Sequence, residues 1–466
     1  VIGWFLGRRR ARSTVQLVLL FIAIALVLHG LFGPQIAPTN LATVLTWVHY
    51  RGLLIVALLA AGNVFCMGCP FVLVRDMGRR LRRPTISWPR RVRTKWIAVG
   101  LFAGVLFAYE LFDLWALPRA TAYLVLAYFA AALAVDLVFS GASFCKYVCP
   151  IGQFNFIAST VSPLELQVRD QATCRTCRTV DCIKGRRRPD APRQITQRGC
   201  ELALFLPLKV GNMDCTLCLD CVQACPHDNI ALSPRIPGAE LADFRRRSGV
   251  GRFERRWDIG ALAVLFAFGG LLNAFAMTAP ASNAERWLSA ATGVTSEALA
   301  LASLFVVGLG VAPMILLGGA AAATRLIGRD TASAAQIALR YAYAFVPFGC
   351  GVWLAHYGFH LLTGFLTIVP VAQSAAADLL GRTALGEPRW NWGGLRPGSV
   401  LPIELGFILL GTIGSIALAH RISQRRSLVR AGVSTAPWAF VLVGLAAAAI
   451  WIVFQPMDLR GVGLPG

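Results

Sequence analysis

Apolar residues in this chain gather into continuous runs of about twenty, the length of a helix that crosses the hydrocarbon core of a bilayer. Nine such spans are predicted, at residues 14–33, 47–66, 95–117, 120–141, 257–279, 297–319, 334–360, 401–421 and 435–455. Between them the basic residues are unevenly shared. Arg8–Arg12, Arg75–Lys95, Cys145–Arg256, Arg325–Arg329 and Arg421–Arg430 are rich in Lys and Arg, and nine spans put all five on one side. The other side receives 34–46, the turn at Pro118, 280–296, 361–400 and the C-terminal tail, which are poor in both. By the positive-inside rule the N-terminus is cytoplasmic and the C-terminus is outside.

The expected fold is therefore mainly α, a polytopic helical membrane protein. It has a four-span region (1–142), a cytoplasmic insert (143–256) and a five-span region (257–466). The basic stretch ahead of the first run has no small-residue cleavage pattern after it, so that run reads as a span and not as a cleaved signal. The insert is Arg-rich, punctuated by Pro189, Pro192, Pro207, Pro226, Pro234 and Pro237, and reads as a loop-rich domain that needs a cofactor for a core.

Composition agrees. Of 466 residues, 56% are hydrophobic and 15% are charged, against roughly 25% charged in a soluble domain. The net charge of +22 sits in the loops between apolar runs. It reads as topology, and nucleic acid is not an expected partner because the basic runs lack interleaved aromatics.

All but one of the 13 cysteines fall between Cys66 and Cys225. The run Cys215-x2-Cys218-x2-Cys221-x3-Cys225-Pro226 has the spacing of bacterial two-cluster ferredoxins, in which three thiolates wrap one cube and the fourth crosses to a second. Zinc sites show paired ligands instead. Upstream, Cys174-x2-Cys177-x4-Cys182, with Cys200 farther on, reads as an expanded partner run. Crossing then assigns Cys174, Cys177, Cys182 and Cys225 to one [4Fe–4S] cluster, and Cys200, Cys215, Cys218 and Cys221 to another. Cys200 is followed by Glu201 where a proline is usual, and a degenerate half with one surviving cluster is the alternative.

A second cysteine pattern is a weak repeat. Phe65-Cys66-Met67-Gly68-Cys69-Pro70 and Phe144-Cys145-Lys146-Tyr147-Val148-Cys149-Pro150 close two even-numbered spans on the same face. Three readings stay open for these four cysteines: a third cluster, a dithiol/disulfide couple, or packing. Cys350 stands alone and reads as core.

Toward the outer face lie His29, His49, His356 and His360, the last two on one helical face. Polar groups at membrane depth are functional candidates. These histidines and Glu110 are candidates for a quinone or proton site, or for haem b; interfacial placement is the bland alternative. Asp113 and Asp136 are buried acids that could carry protons or pair with Arg. His227 reads as a neighbour of the cluster loop, and His420 and the Trp390/Trp392 loop as interfacial.

Phe144-Cys145-Lys146-Tyr147-Val148-Cys149-Pro150-Ile151-Gly152, followed by the ferredoxin-type run, resembles the membrane polyferredoxins of the NapH/NosR type over roughly 47–230. Those accompany periplasmic nitrate and nitrous oxide reductases. The resemblance implies quinol oxidation and electron delivery from a bacterial cytoplasmic (inner) membrane, with the quinone pool, other subunits of a redox complex and membrane lipid as partners. The first Cys-Pro pair here is one residue shorter than the family's usual gap, and the last five spans have no counterpart in its shorter members. The expected function is an iron–sulfur electron-transfer subunit. The alternatives are a redox maturation or regulatory factor, and a transporter with a redox-sensing domain.

Overall fold

The computed structural model describes residues 11–81, 84–187, 190, 195–293, 296–381, 384–425 and 429–457. Residues 8–10 of the first basic stretch, Pro189 and Pro192 lie outside them. The protein is a polytopic helical protein. Among the described residues eight helices are long and apolar enough to cross a membrane: Ala11–Phe32, Leu41–Ala61, Pro118–Val138, Trp257–Ala276, Glu297–Ile327, Ala334–Leu380, Pro397–Gln424 and Ala431–Val453.

The predicted span 95–117 differs. It is a helix of 16 residues, Trp96–Leu111, about 24 Å at 1.5 Å per residue and short of the roughly 30 Å core. It stops where Asp113 takes a left-handed backbone, φ 43°. The predicted span 334–360 is longer than expected. It passes through Gly364 and a 3₁₀ turn at Phe365–Thr367 into a further helix, Ile368–Leu380.

The chain divides into two compact units. One gathers the described residues of Val1–Ala23, Ala57–Ala98 and Ala127–Ile259 and holds all the clustered cysteines. Its only ladders among the described residues are two antiparallel pairs. β1 (Leu164–Val168) pairs with β4 (Ile230–Pro234), Leu166 opposite Leu232, and β2 (Arg186–Arg187) pairs with β3 (Ile195–Gln197). β1 precedes the cysteine-rich stretch and β4 closes it, so one ladder clamps both ends of that stretch. Pro234 sits at the end of β4, where the missing N–H costs no central ladder bond.

Charge is buried in this unit and is paired. Arg75, with a side chain 2% exposed, meets Asp76 at 2.7 Å, Glu201 at 2.7 Å and Asp136 at 3.4 Å. Asp136 also accepts from the Phe144 amide at 2.9 Å, so this acid anchors the approach to Cys145. Lys95 Nζ donates to Asp214 at 2.6 Å, next to Cys215.

The other unit takes Ile24–Val56, Val99–Leu126 and the described part of Gly260–Gly466. Its helices Val346–Gly364 and Pro397–Gln424 cross at glycines. A Cβ on Gly351 would meet the Phe407 carbonyl at 2.5 Å, and one on Gly411 the Pro347 carbonyl at 2.7 Å, the small-residue contact expected where lipid supplies no hydrophobic drive. Pro347 interrupts the helix-start bonding, and the Phe348 amide is satisfied by the Ser415 hydroxyl at 2.8 Å. Tyr341 stacks on Trp438, with ring centroids 4.4 Å apart.

Candidate functional site

The cysteine-rich stretch is shaped by its caps. Asp170 accepts from the amides of Ala172 and Thr173 and starts the short helix Gln171–Thr176 that presents Cys174. Val180 (φ 54°), Leu217 (φ 48°) and Leu219 (φ 62°) take left-handed backbone between close-spaced thiols, as do Ala203 (φ 56°) and Asp214 (φ 63°) between Cys200 and Cys215. A β-branched residue there is a steric outlier, and such strain persists where surroundings over-determine it, commonly at functional sites. Here it turns the chain sharply between successive thiols.

The thiols fall in three neighbouring sets whose reach overlaps, since Cys182 also reaches Cys200 and Cys66 also reaches Cys215. Cys182 lies within electrostatic reach of Cys174, Cys177 and Cys225, and Cys174 of Cys177 and Cys225. Cys200, Cys215, Cys218 and Cys221 line one cavity with Leu166, Leu202, Leu204, Leu206 and Lys209. Cys200 therefore joins this group although Glu201 follows it. In the third group Cys149 reaches Cys66 and Cys69, and Cys145 reaches Cys69 and Cys149. Cys350 is buried apart from these, in the helix Val346–Gly364.

Burial and neighbouring sulfurs act together on these groups. Burial first, then Cys225 and Cys174, push the Cys182 thiol up to about 11. Cys218 and Cys221 are also raised, again by burial first. Thiols packed this way do not ionise together unless a cation offsets the charge, which is what a metal site supplies. Among the described residues no three His, Cys, Asp or Glu converge on a single metal ion. A multi-iron cluster makes a different demand, because each thiolate binds its own iron corner. The donor set of four thiols per group, the leucine-lined cavity of the Cys200 group and the N–H groups that reach sulfurs of the other two fit that demand.

Those N–H groups are specific. Asn229 donates from Nδ2 to Cys174 Sγ at 3.3 Å and from its amide to Cys225 Sγ at 3.4 Å, bridging the two halves of one group. Gly152 N–H reaches Cys149 Sγ at 3.2 Å, and Asn155 Nδ2 reaches Cys66 Sγ at 3.4 Å. Arg12 pairs with Asp220 at 2.7 Å, its charge within reach of Cys218.

The second candidate site lies in the other unit. His356 and His360 are perpendicular, with ring centroids 5.1 Å apart, and the Nε2 of each has no hydrogen-bond partner among the described residues. The buried guanidinium of Arg51 acts on both imidazoles. It sits 4.5 Å from the Tyr357 ring centroid, 5.0 Å from Trp47 and 5.1 Å from Tyr109. Glu110 is buried and accepts from Asn273 Nδ2 at 2.9 Å, and its charge reaches Tyr109 and Tyr357.

His29, His49 and His420 are engaged. His29 Nδ1 accepts from the Leu41 amide at 2.9 Å, which leaves Nε2–H to donate to Asp378 at 3.0 Å. His49 lies between the carbonyls of Val44 and Phe365, each at 3.2 Å. His420 bonds Thr435 and Gln424. Sequence reasoning passed over Arg51, Tyr109 and Tyr357, although an arginine inside a predicted span is itself a functional signal. It also passed over Asn155 and Asn229, for which spacing carries no signal.

Comparison with known proteins gives distant matches. The chain is 26% identical to an uncharacterized protein of Methanocaldococcus jannaschii over 202 residues, 41% of this chain and 72% of that one. It is 24% identical to the ferredoxin-type protein NapH of Escherichia coli over 191 residues, 38% of this chain and 64% of NapH, so it spans less than two thirds of that relative. No family model matches, and no solved structure matches. The chain therefore has a distant likeness to a ferredoxin-type protein, and is itself a polytopic helical protein.

Proposed function

We propose that this protein is a membrane iron–sulfur electron-transfer subunit that exchanges electrons between the quinone pool and a partner redox enzyme. The observation that carries this reading is the cavity walled by Cys200, Cys215, Cys218 and Cys221, beside a second group of Cys174, Cys177, Cys182 and Cys225. Two [4Fe–4S] clusters held there would supply one-electron carriers. The likeness to NapH supports the same reading.

The chain's own residues would do three things. The thiols hold the clusters, and Asn229 and the leucines set hydrogen bonding and dryness around them, which tune potential. Arg51 with Tyr109 and Tyr357 offers donors and flat aromatic walls to a quinone ring, whose oxygens gain negative charge on reduction. His356 and His360 offer unpartnered nitrogens for the protons. In the oxidising direction a quinol gives up two electrons, one at a time, and two protons. This donor set favours quinone over haem b for His356 and His360, because a cationic guanidinium beside them opposes a metal. The likeness to NapH of Escherichia coli supports a bacterial inner-membrane setting; with Trp96–Leu111 counted as a ninth crossing, the distribution of Lys and Arg supports a cysteine-rich segment that faces the cytoplasm.

The test is iron and acid-labile sulfide on anaerobically purified protein, with an EPR spectrum before and after a reduced quinol analogue. A reduced-cluster signal that appears with quinol supports the reading. Iron that dithionite reduces and quinol does not would overturn the quinol-oxidising direction and favour the maturation alternative.

A further inference from the structure

The two Cys-Pro helix ends repeat each other in three dimensions. Cys69 follows the short helix Val64–Gly68 and leads into Pro70–Leu81. Cys149 follows the π turn Phe144–Val148 and leads into Pro150–Ala158. Cys69 has φ −60°, ψ 121° and Cys149 has φ −63°, ψ 112°. The same extended break recurs at Cys177 (φ −68°, ψ 117°) and at Cys225 (φ −64°, ψ 120°), each at the end of a short helix in the ferredoxin-type stretch. Proline explains part of this, since it excludes helical backbone from the residue before it. It does not explain Cys177, which has no proline after it. What the four share is a cysteine in extended backbone directly after a short helix or turn.

The helix Pro150–Ala158 ties this group together. It starts at Cys149, whose sulfur accepts from the Gly152 amide at 3.2 Å. Gln153 Nε2 donates to the Cys145 carbonyl at 3.0 Å. Asn155 Nδ2 donates to Cys66 Sγ at 3.4 Å. The two N–H···S bonds are of the kind that surround cluster thiolates. A positive charge stands nearby, because Arg75 acts on both Cys69 and Cys145.

The three groups are also joined in a fixed order by hydrogen bonds. The Cys200 amide donates to the Cys182 carbonyl at 2.8 Å, linking the first group to the second. Asn63 links the second to the third: its Nδ2 donates to the Cys215 carbonyl at 3.2 Å, and its Oδ1 accepts from the Cys66 amide at 3.4 Å.

We propose that Cys66, Cys69, Cys145 and Cys149 hold a third [4Fe–4S] cluster, so that the cysteine-rich unit carries three centres in series with the Cys200 group in the middle. This rests on the reading that the other two groups hold clusters. Assembly forms four iron–thiolate bonds and releases four thiol protons, and no redox change of the protein is needed. The centre takes up and gives back one electron, and its neighbour in the series is the Cys200 group.

The experiment measures iron, acid-labile sulfide and Mössbauer spectra on the full chain, purified anaerobically in detergent. Three cubes predict roughly twelve irons per chain, four to each. The C145S/C149S variant is expected to lose one third of the iron and to keep the signals of the other two clusters. Wild-type protein at two thirds of that iron, unchanged in the variant or with a disulfide among these four cysteines, overturns this inference and leaves the two-cluster reading standing. Iron that fits a two-iron centre also overturns it. Wild-type protein without iron overturns both. Should the double variant fail to fold, Asn155→Ala keeps every ligand and is expected to shift one of three reduction midpoints to lower potential. Three unmoved midpoints overturn the assignment.

Discussion

The sharpest test of the first cysteine group is Asn229. Its Nδ2 lies 3.3 Å from Cys174 Sγ and its amide 3.4 Å from Cys225 Sγ. Substitution by alanine removes the side-chain bond to sulfur, along with the Nδ2 bond to the Asp170 carbonyl at 2.6 Å, and leaves the backbone bond to Cys225. A hydrogen bond to a charged acceptor is worth roughly 1.5–3 kcal/mol. Only the part that grows when the cluster gains one more negative charge affects the potential. Taking about a third to a half gives roughly 0.5–1.5 kcal/mol, or about 20–60 mV for a one-electron couple at 59 mV per 1.4 kcal/mol. The sign follows from the loss of a donor that favours the more negative, reduced state, so the potential falls. Asn229 also accepts from the Asp170 amide at 2.9 Å. Asn229→Asp keeps that bond and places a carboxylate against Cys174, so it should lower the same potential further. EPR-monitored potentiometry on anaerobic protein should show one midpoint moving and the others still. A rise, or an equal shift of every midpoint at unchanged iron content, would refute the local hydrogen-bond account.

Three other perturbations follow from the packing. Glu240, with a side chain 1% exposed, caps the Asn212 and Met213 amides and pairs with Arg235, which holds the loop entering Cys215. Glu240→Ala leaves a buried arginine unpaired and should cost on the order of 3–5 kcal/mol, read by chemical denaturation, with loss of iron from the Cys200 group; a cost under about 1 kcal/mol would contradict the packing described. Gly351→Ala forces a methyl onto the Phe407 carbonyl and should cost roughly 1–3 kcal/mol, seen as a lower Tm in detergent. The pH dependence of the Arg75 network has a definite sign. Burial works to raise the Glu201 carboxyl, but Arg75 and Arg198 outweigh it and hold it below the usual range, and the same two arginines depress Asp76. A depressed carboxylate stabilises the fold above its unfolded pKa, about 4.3 for Glu, and that stability is lost as pH falls through the lower folded value. The difference in unfolding free energy between wild type and Glu201→Gln should be largest near neutral pH and shrink below about pH 4.5; a flat difference would show that the pair contributes nothing.

Most of the framework could be read from the chain, because long apolar runs and short cysteine spacings are both local patterns. Eight of the nine predicted spans correspond to long apolar helices. The exception, Trp96–Leu111, is cut short by a turn at Asp113 that apolar content does not register. The continuation past Gly364 was hidden for the opposite reason: the 3₁₀ turn at Phe365–Thr367 is made of residues that could equally end a helix. The crossing pattern of the spacing proposes the set Cys174, Cys177, Cys182 and Cys225, and the fold keeps Cys182 within reach of the other three and of Cys200 as well. That Cys200 lines a cavity with Cys215, Cys218 and Cys221 is not legible locally, because its following Glu201 breaks the pattern while serving elsewhere, as a partner of Arg75.

The histidines show where local patterns stop being informative. His29 and His356 look alike in sequence, each a polar residue toward the end of an apolar run. Distant residues separate them. The Leu41 amide and Asp378 engage both nitrogens of His29, whereas His356 and His360 keep unpartnered Nε2 atoms beside Arg51. A buried polar atom without a partner costs roughly 1–3 kcal/mol, and two of them on adjacent turns, beside a guanidinium stacked among three aromatic rings, are an expensive arrangement for packing alone. A quinone head group that accepts from Arg51 and meets the imidazoles would relieve that cost, and then the arrangement is explained by what it binds. If so, Arg51→Gln should weaken a quinone analogue at least tenfold in a direct binding assay, about 1.4 kcal/mol, while dithionite still reduces the iron. Unchanged affinity would return His356 and His360 to the packing of the helices.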